Sequence, residues 1–214
     1  MRNKKYILVI LILFAAVLSP GVHAEDSQLA TERKIKAAFL YNFINFVQWP
    51  ESVMGDKKSP VVIGVVGSRN STKEFLKIVS KKVKNKKIEV RQFDEFCNVA
   101  KNKKNCRDKK RLDLIEKSLK KCQVVFIADC ESLSSNDVLY VLNNLKGTPV
   151  LTVGEEKEFL KMGGIINFLT GQKIQFEINL DAASKNSLKI RSKLLKLAKR
   201  IIKEKKAGGE IKKL

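Results

Sequence analysis

The chain opens on an apolar run, Tyr6 to Leu18, preceded by Arg2, Lys4 and Lys5 and broken by Ser19-Pro20-Gly21. Val22-His23-Ala24 then places small side chains ahead of Glu25, which completes the three-part pattern of a cleaved secretion signal. The run is shorter than the roughly 20 apolar residues that a membrane-spanning helix needs. The expectation is therefore export, with residues 1–24 removed, residues 25–204 forming one domain and a basic tail, 205–214, left mobile.

Past the leader, the apolar positions fall into helical and extended periods. Ile35, Ala38, Phe39, Asn42, Phe43, Phe46 and Val47 recur at three- and four-residue steps and predict a helix over 27–48, closed by Trp49-Pro50. A linker, 51–59, leads to a continuous apolar strand, Val61 to Val66. Gly67 to Ser71 turns the chain into a helix that ends in the lysine-rich segment 81–87, and a second strand covers 88–93. Residues 94–110 are polar and read as a loop. A helix over 111–120 precedes a third strand, 123–128. Ser134-Ser135-Asn136-Asp137 caps a helix to Leu145, and a fourth strand covers 150–153. This alternation predicts an α/β fold, a mostly parallel sheet flanked by helices. Segments 164–169 and 173–178, joined at Thr170-Gly171-Gln172, extend it as a C-terminal antiparallel hairpin. Leu188, Ile190, Leu194, Leu195, Leu197, Ala198, Ile201 and Ile202 form the stripe of a closing amphipathic helix, so long helices are expected at both the N- and C-terminal ends.

Charge and chemistry narrow the function. Lys and Arg number 43 against 22 Asp and Glu, a formal net charge of +21. Such a surface suits an anionic membrane surface or an acidic partner, while export removes nucleic acid as an ordinary partner. The scattered lysines equally read as a solvated face. The sole histidine, His23, lies in the leader, so the mature chain has no imidazole. Ser-His-Asp and Cys-His sites are excluded, and catalytic zinc loses its commonest ligand. No catalytic residue, metal or cofactor is expected. Asp129, Glu131, Glu155, Glu156 and Glu158 fall after the third and fourth strands, at the carboxyl edge where α/β ligands sit, but no spacing holds two of them across a cleft. Gly64-Val65-Val66-Gly67 before a helix is at most a weak anion-binding turn, because it lacks the G-x-G-x-x-G pattern.

In an oxidising compartment the four cysteines default to disulfides. Cys122 and Cys130 bracket the third strand and would lie about 26 Å apart at ~3.3 Å per residue, against the roughly 5.5 Å that a disulfide spans. Cys97, Cys106 and Cys130 share the carboxyl edge. Cys97–Cys106 is the favoured pair and Cys106–Cys130 the second, which leaves Cys122 a buried thiol.

Several blocks in order resemble one family. Lys36-Ala37-Ala38-Phe39-Leu40-Tyr41-Asn42-Phe43, then Phe46-Val47-Gln48-Trp49-Pro50, then Ile63-Gly64-Val65-Val66-Gly67 and Cys122 to Ile127 are similar to the YfiR family of periplasmic proteins. Pro149 to Val153, Gly163-Gly164-Ile165-Ile166-Asn167-Phe168, Phe176 to Asn179 and Lys189 to Leu195 continue the likeness. The resemblance implies a periplasmic regulator, not an enzyme, that restrains a membrane-bound diguanylate cyclase through the enzyme's periplasmic domain. It also implies a homodimer. The cysteines of 94–110 match no family position, so disulfide-based regulation is not carried over. Of the motif residues, Phe39, Phe43 and Trp49 read as core or dimer contacts, beside Asn42 and Pro50. Gly163 and Gly164 read as a turn into the hairpin that carries Phe168. Asn167 and Asn179 satisfy backbone groups or line a ligand pocket, which makes a small-ligand-binding protein the alternative function.

Overall fold

In the computed structural model, residues 22–56, 58–67, 82–94, 106–128 and 133–203 are described, with side chains from Ser27 onward and, in the third helix, from Lys109. Helix α1 (Val22–Phe46) runs into β1 (Val47–Gln48), a single helical turn α2 (Glu51–Met54), β2 (Val61–Val66) and the pair β3 (Lys82–Val83) and β4 (Lys86–Phe93). Helix α3 (Cys106–Leu119), β5 (Val124–Ile127), α4 (Ser135–Leu145) and β6 (Leu151–Gly154) follow. The chain continues through β7 (Ile166–Leu169), β8 (Gln175–Asn179), α5 (Leu180–Lys185), β9 (Lys189–Ile190), α6 (Ser192–Leu195) and β10 (Arg200–Ile202).

Eight strands form one sheet in the order β10-β8-β7-β6-β5-β2-β4-β3. From β4 across to β7 the pairings are parallel, and β7–β8 is the antiparallel hairpin that the sequence predicts. Fully apolar strands suit a sheet covered on both faces. In β2, Val61, Ile63 and Val65 join the core under α1, while Val62 and Val66 join the core under α3 and α4. Phe126 and Val125 of β5 divide in the same way, as the two-residue period of a strand requires. Gly64 lies within β2. A Cβ there would meet Cys122 Sγ and the Phe93 ring, both at 3.0 Å, so this glycine serves packing and not a turn. Ser134 and Asp137 form a reciprocal capping box at the start of α4.

Three expectations are corrected. Over its described residues, the lysine-rich segment expected to end a helix forms strands: Lys82–Val83 and Lys86–Lys87 pair. Lys84 and Asn85, at φ 50° and 63°, make the two-residue turn whose twist matches a hairpin. Helix α3 starts at Cys106, inside the segment expected to be a loop. The long C-terminal helix is absent. Ser187 takes a left-handed φ of 57°, Lys189–Ile190 pair with β1, only Ser192–Leu195 is helical, and Arg200–Ile202 pair with β8. An isolated helix of that length is marginal in water, whereas the open edges of β1 and β8 supply backbone partners. Leu188 and Leu194 are buried, but Leu197 and Ile201 stay exposed, so the stripe never acts as one face.

The leader before Val22, residues 68–81 with the body of the helix expected after Ser71, Cys97, Cys130, Asp129, Glu131 and the tail 205–214 lie outside the described residues, and Cys106 is described by its backbone alone. Among the described residues no helix is long and apolar enough to cross a membrane.

Candidate functional site

Helix α1 lies over the sheet with Ala37, Leu40, Phe43, Ile44 and Val47 in the core. Their spacing defines a buried stripe one step around the helix from the one read off the sequence: Ile35 is 42% exposed, and Ala38 and Asn42 are exposed. Phe39 and Phe43 meet Phe168 and Phe176 with ring centroids 5.1–5.9 Å apart, anchoring the helix over the hairpin.

One position on the buried stripe is charged. Lys36 is 6% exposed, and its Nζ lies 2.6 Å from Glu155 Oε1 and also bonds Glu32 Oε1. Thr170 Oγ1 donates to the same Glu32 oxygen at 3.4 Å. A buried ammonium persists only when paired, and here two carboxylates hold it. Glu155 directly follows β6 and Glu32 stands one turn before Lys36, so the triad ties α1 to the carboxyl edge of the sheet.

This triad forms one wall of a cavity of about 450 Å³. Leu29 and Arg33 of α1, Phe126 of β5 and Ala128 just after it, Lys157 after β6, Asn167 to Leu169 of β7, and Thr170 complete the lining. Asn167 is 2% exposed, and among the described residues its Oδ1 has no hydrogen-bond partner. A buried acceptor left unpaired costs about 1–3 kcal/mol, so the site presents an unmet demand for a donor. Arg33, Lys36 and Lys157 give it a cationic bias against Glu32 and Glu155.

Of the residues singled out by sequence, Glu155, Asn167 and Phe168 come together here. Asn179 does not: its Oδ1 accepts from Ala182 N at 2.9 Å to cap α5, and its Nδ2 donates to Leu160 O at 3.1 Å. Gly163, at φ 99°, makes the turn, while Gly164 has another task. Cβ atoms on Gly154 and Gly164 would fall 2.2 and 2.1 Å from the ring of Phe159, which sits fully buried between them. Trp49 and Pro50 lie at the opposite, amino edge of the sheet, beside the β3–β4 turn. Sequence reasoning missed Lys36, Glu32 and Arg33 as site residues. The available signal was a lysine in phase with Leu40, Phe43 and Val47, with a glutamate four residues before it.

Among the described residues no three His, Cys, Asp or Glu side chains cluster as metal ligands. Cys122 is a free, buried thiol, and burial pushes it up to about 12.

A family model described as YfiR/HmsC-like matches residues 33–199. No curated protein sequence matches the chain. Solved structures similar to it include a conserved domain protein of Vibrio cholerae O1 biovar El Tor, at 13% identity and TM-score 0.46. Another is the ABC domain of a Streptococcus pneumoniae protein in complex with L-Trp, at 10% identity and the same TM-score. Each alignment covers 66% of this chain and 55% of the other, so the chain spans little more than half the length of either.

Proposed function

Because the chain belongs to the YfiR/HmsC-like family, which supports a periplasmic regulator of cyclic di-GMP signalling in general, we propose that it binds the periplasmic domain of an inner-membrane diguanylate cyclase and represses it. The observation that carries this reading is the family match, which runs from Arg33 in α1 to Lys199, just before β10, and so includes most of the cavity lining, the hairpin and both core faces. The mechanism is population shift: a partner that binds one arrangement of the sensor better than another moves the equilibrium by its differential affinity. Export through residues 1–24, a homodimer, and a disulfide drawn from Cys97, Cys106 and Cys130 belong to the same proposal. Intact mass starting at Glu25 tests the first of these, and peptide mapping tests the last. Affinity capture from solubilised membranes tests the partner. Recovery of a cyclase whose activity falls on adding this protein supports the reading, and capture of no membrane enzyme, with unchanged cyclic di-GMP on deletion, refutes it.

A second reading, a small-ligand-binding protein, is favoured by one observation, the unpartnered Asn167 Oδ1 in the wall of the cavity. A ligand bound there raises the melting temperature by mass action. A thermal-shift panel of nucleotides and amino acids tests it: a shift lost in Asn167→Ala supports the cavity, and no shift from any compound removes the reading.

A further inference from the structure

A second feature lies at the amino edge of the sheet, away from the cavity. Gln48, Trp49, Pro50, Glu51, Met54, Lys84, Ser187 and Lys189 line an open groove of about 490 Å³. Trp49 is only 8% exposed, yet among the described residues its indole N–H has no acceptor. Buried indole N–H groups normally find a partner, and one without leaves a donor to be satisfied. Lys84 Nζ stands 4.9 Å from the centroid of the same ring and donates to Val47 O at 2.8 Å. Burial, and then the charge of Arg191, push the Lys84 ammonium below its ordinary value. Cations crowded together in this way favour an anion between them.

Among the described residues, no ion pair holds Lys84, Lys189 or Arg191. Glu51 is the one carboxylate in the groove lining. The site therefore offers an unmet donor and an excess of positive charge in a concave, partly apolar setting. Pro50 and Met54 supply the apolar wall against which a chain could lie. A concave slot suits a peptide better than the flat face of a bilayer.

We propose that the groove between Trp49, Lys84 and Lys189 docks an acidic segment of a protein partner, a carboxylate accepting from the Trp49 indole N–H between the lysines. This is independent of the cyclase reading, since an acidic segment of any periplasmic partner would satisfy it. The chain's formal +21 charge would steer such a partner toward this face.

Trp49 is the sole tryptophan, so its emission reports on the groove directly. The full-length mature protein is titrated with an oligoglutamate peptide, with separate arms of inorganic phosphate and phosphatidylglycerol vesicles. The proposal expects a saturable, salt-sensitive change in Trp49 emission with the peptide. It expects affinity about tenfold weaker in Lys189→Glu and in Lys84→Ala, and unchanged in Lys146→Glu, a charge change elsewhere on the surface. Lys189→Glu leaves the Lys84–Val47 bond intact, so a folding defect in Lys84→Ala does not blunt the test. No saturable response, equal weakening in Lys146→Glu, or a response confined to vesicles or to phosphate overturns it.

Discussion

Replacing Gly164 by Ala tests the packing of Phe159 against the end of β6. Phe159 is seated between Gly154 and Gly164, and a Cβ on Gly164 would lie 2.1 Å from Cε1, 2.2 Å from Cδ1 and 2.8 Å from Cζ. Carbon atoms in contact settle at about 3.5–4.0 Å, so the ring must retreat by more than an ångström. Retreat is blocked, because the opposite edge of the ring already occupies the space where a Cβ on Gly154 would stand, 2.2 Å from Cε2. Gly164 itself is outside the positive-φ region, so backbone strain adds nothing. Overpacking costs ~1–3 kcal/mol, and losing a buried phenylalanine seat altogether costs ~3–5 kcal/mol. The expected loss for Gly164→Ala is therefore about 2–4 kcal/mol, or a fall in Tm of roughly 5–15 °C. Urea unfolding, with Cm shifted and m unchanged, measures it. Phe159→Leu in the Gly164→Ala background removes the ring and should recover part of the loss. Gly171→Ala, where a Cβ meets nothing within 4 Å, is the control and should be neutral or slightly stabilising. A Gly164→Ala cost no larger than that of Gly171→Ala, or strict additivity with Phe159→Leu, would refute the clamp.

Further outcomes follow from other parts of the molecule. Lys36→Met should cost about 3 kcal/mol in urea unfolding, because it removes the buried cation that bridges the Glu32 and Glu155 carboxylates, and Lys36→Met/Glu155→Met should recover part of that. The Cys122 thiol is about 12 when folded against an ordinary 9.0. As pH rises past 9 the unfolded chain loses this proton first, so stability declines through the folded value. Relative to Cys122→Ala, the native protein should lose roughly 1 kcal/mol between about pH 8 and about pH 10; parallel curves would contradict the burial. Ser134→Ala should lower stability by about 1 kcal/mol through loss of the α4 capping box, read as a shift in Cm.

Much of the fold was legible because the strands are apolar on both faces and helix α4 carries a clear cap. Val61 to Val66 could only be a buried strand, and Ser134 with Asp137 marked a helix start. The hairpin announced itself at Thr170-Gly171-Gln172. Two of the three corrections share a cause: local pattern lost to tertiary partners. Leu188 to Ile202 has helical spacing, but pairing with β1 and β8 satisfied its backbone instead. Lys82 to Lys87 looked like a solvated helix end, yet Lys86 is buried with its ammonium on the carbonyls of Asp56 and Ser59. For the site, Asn167 was marked as a polar residue in an apolar strand, and its unpaired oxygen could be seen only once its neighbours were placed. Lys36 went unnoticed because the stripe on α1 was phased on Ile35 and Phe39, which turned the lysine toward solvent.

The most direct test of the regulatory account is cyclic di-GMP measured in cells from which this protein is deleted, with the native chain restored as control. The account predicts a rise on deletion, reversed by the exported chain and not by one lacking residues 1–24. A level that stays the same through deletion and restoration would contradict it.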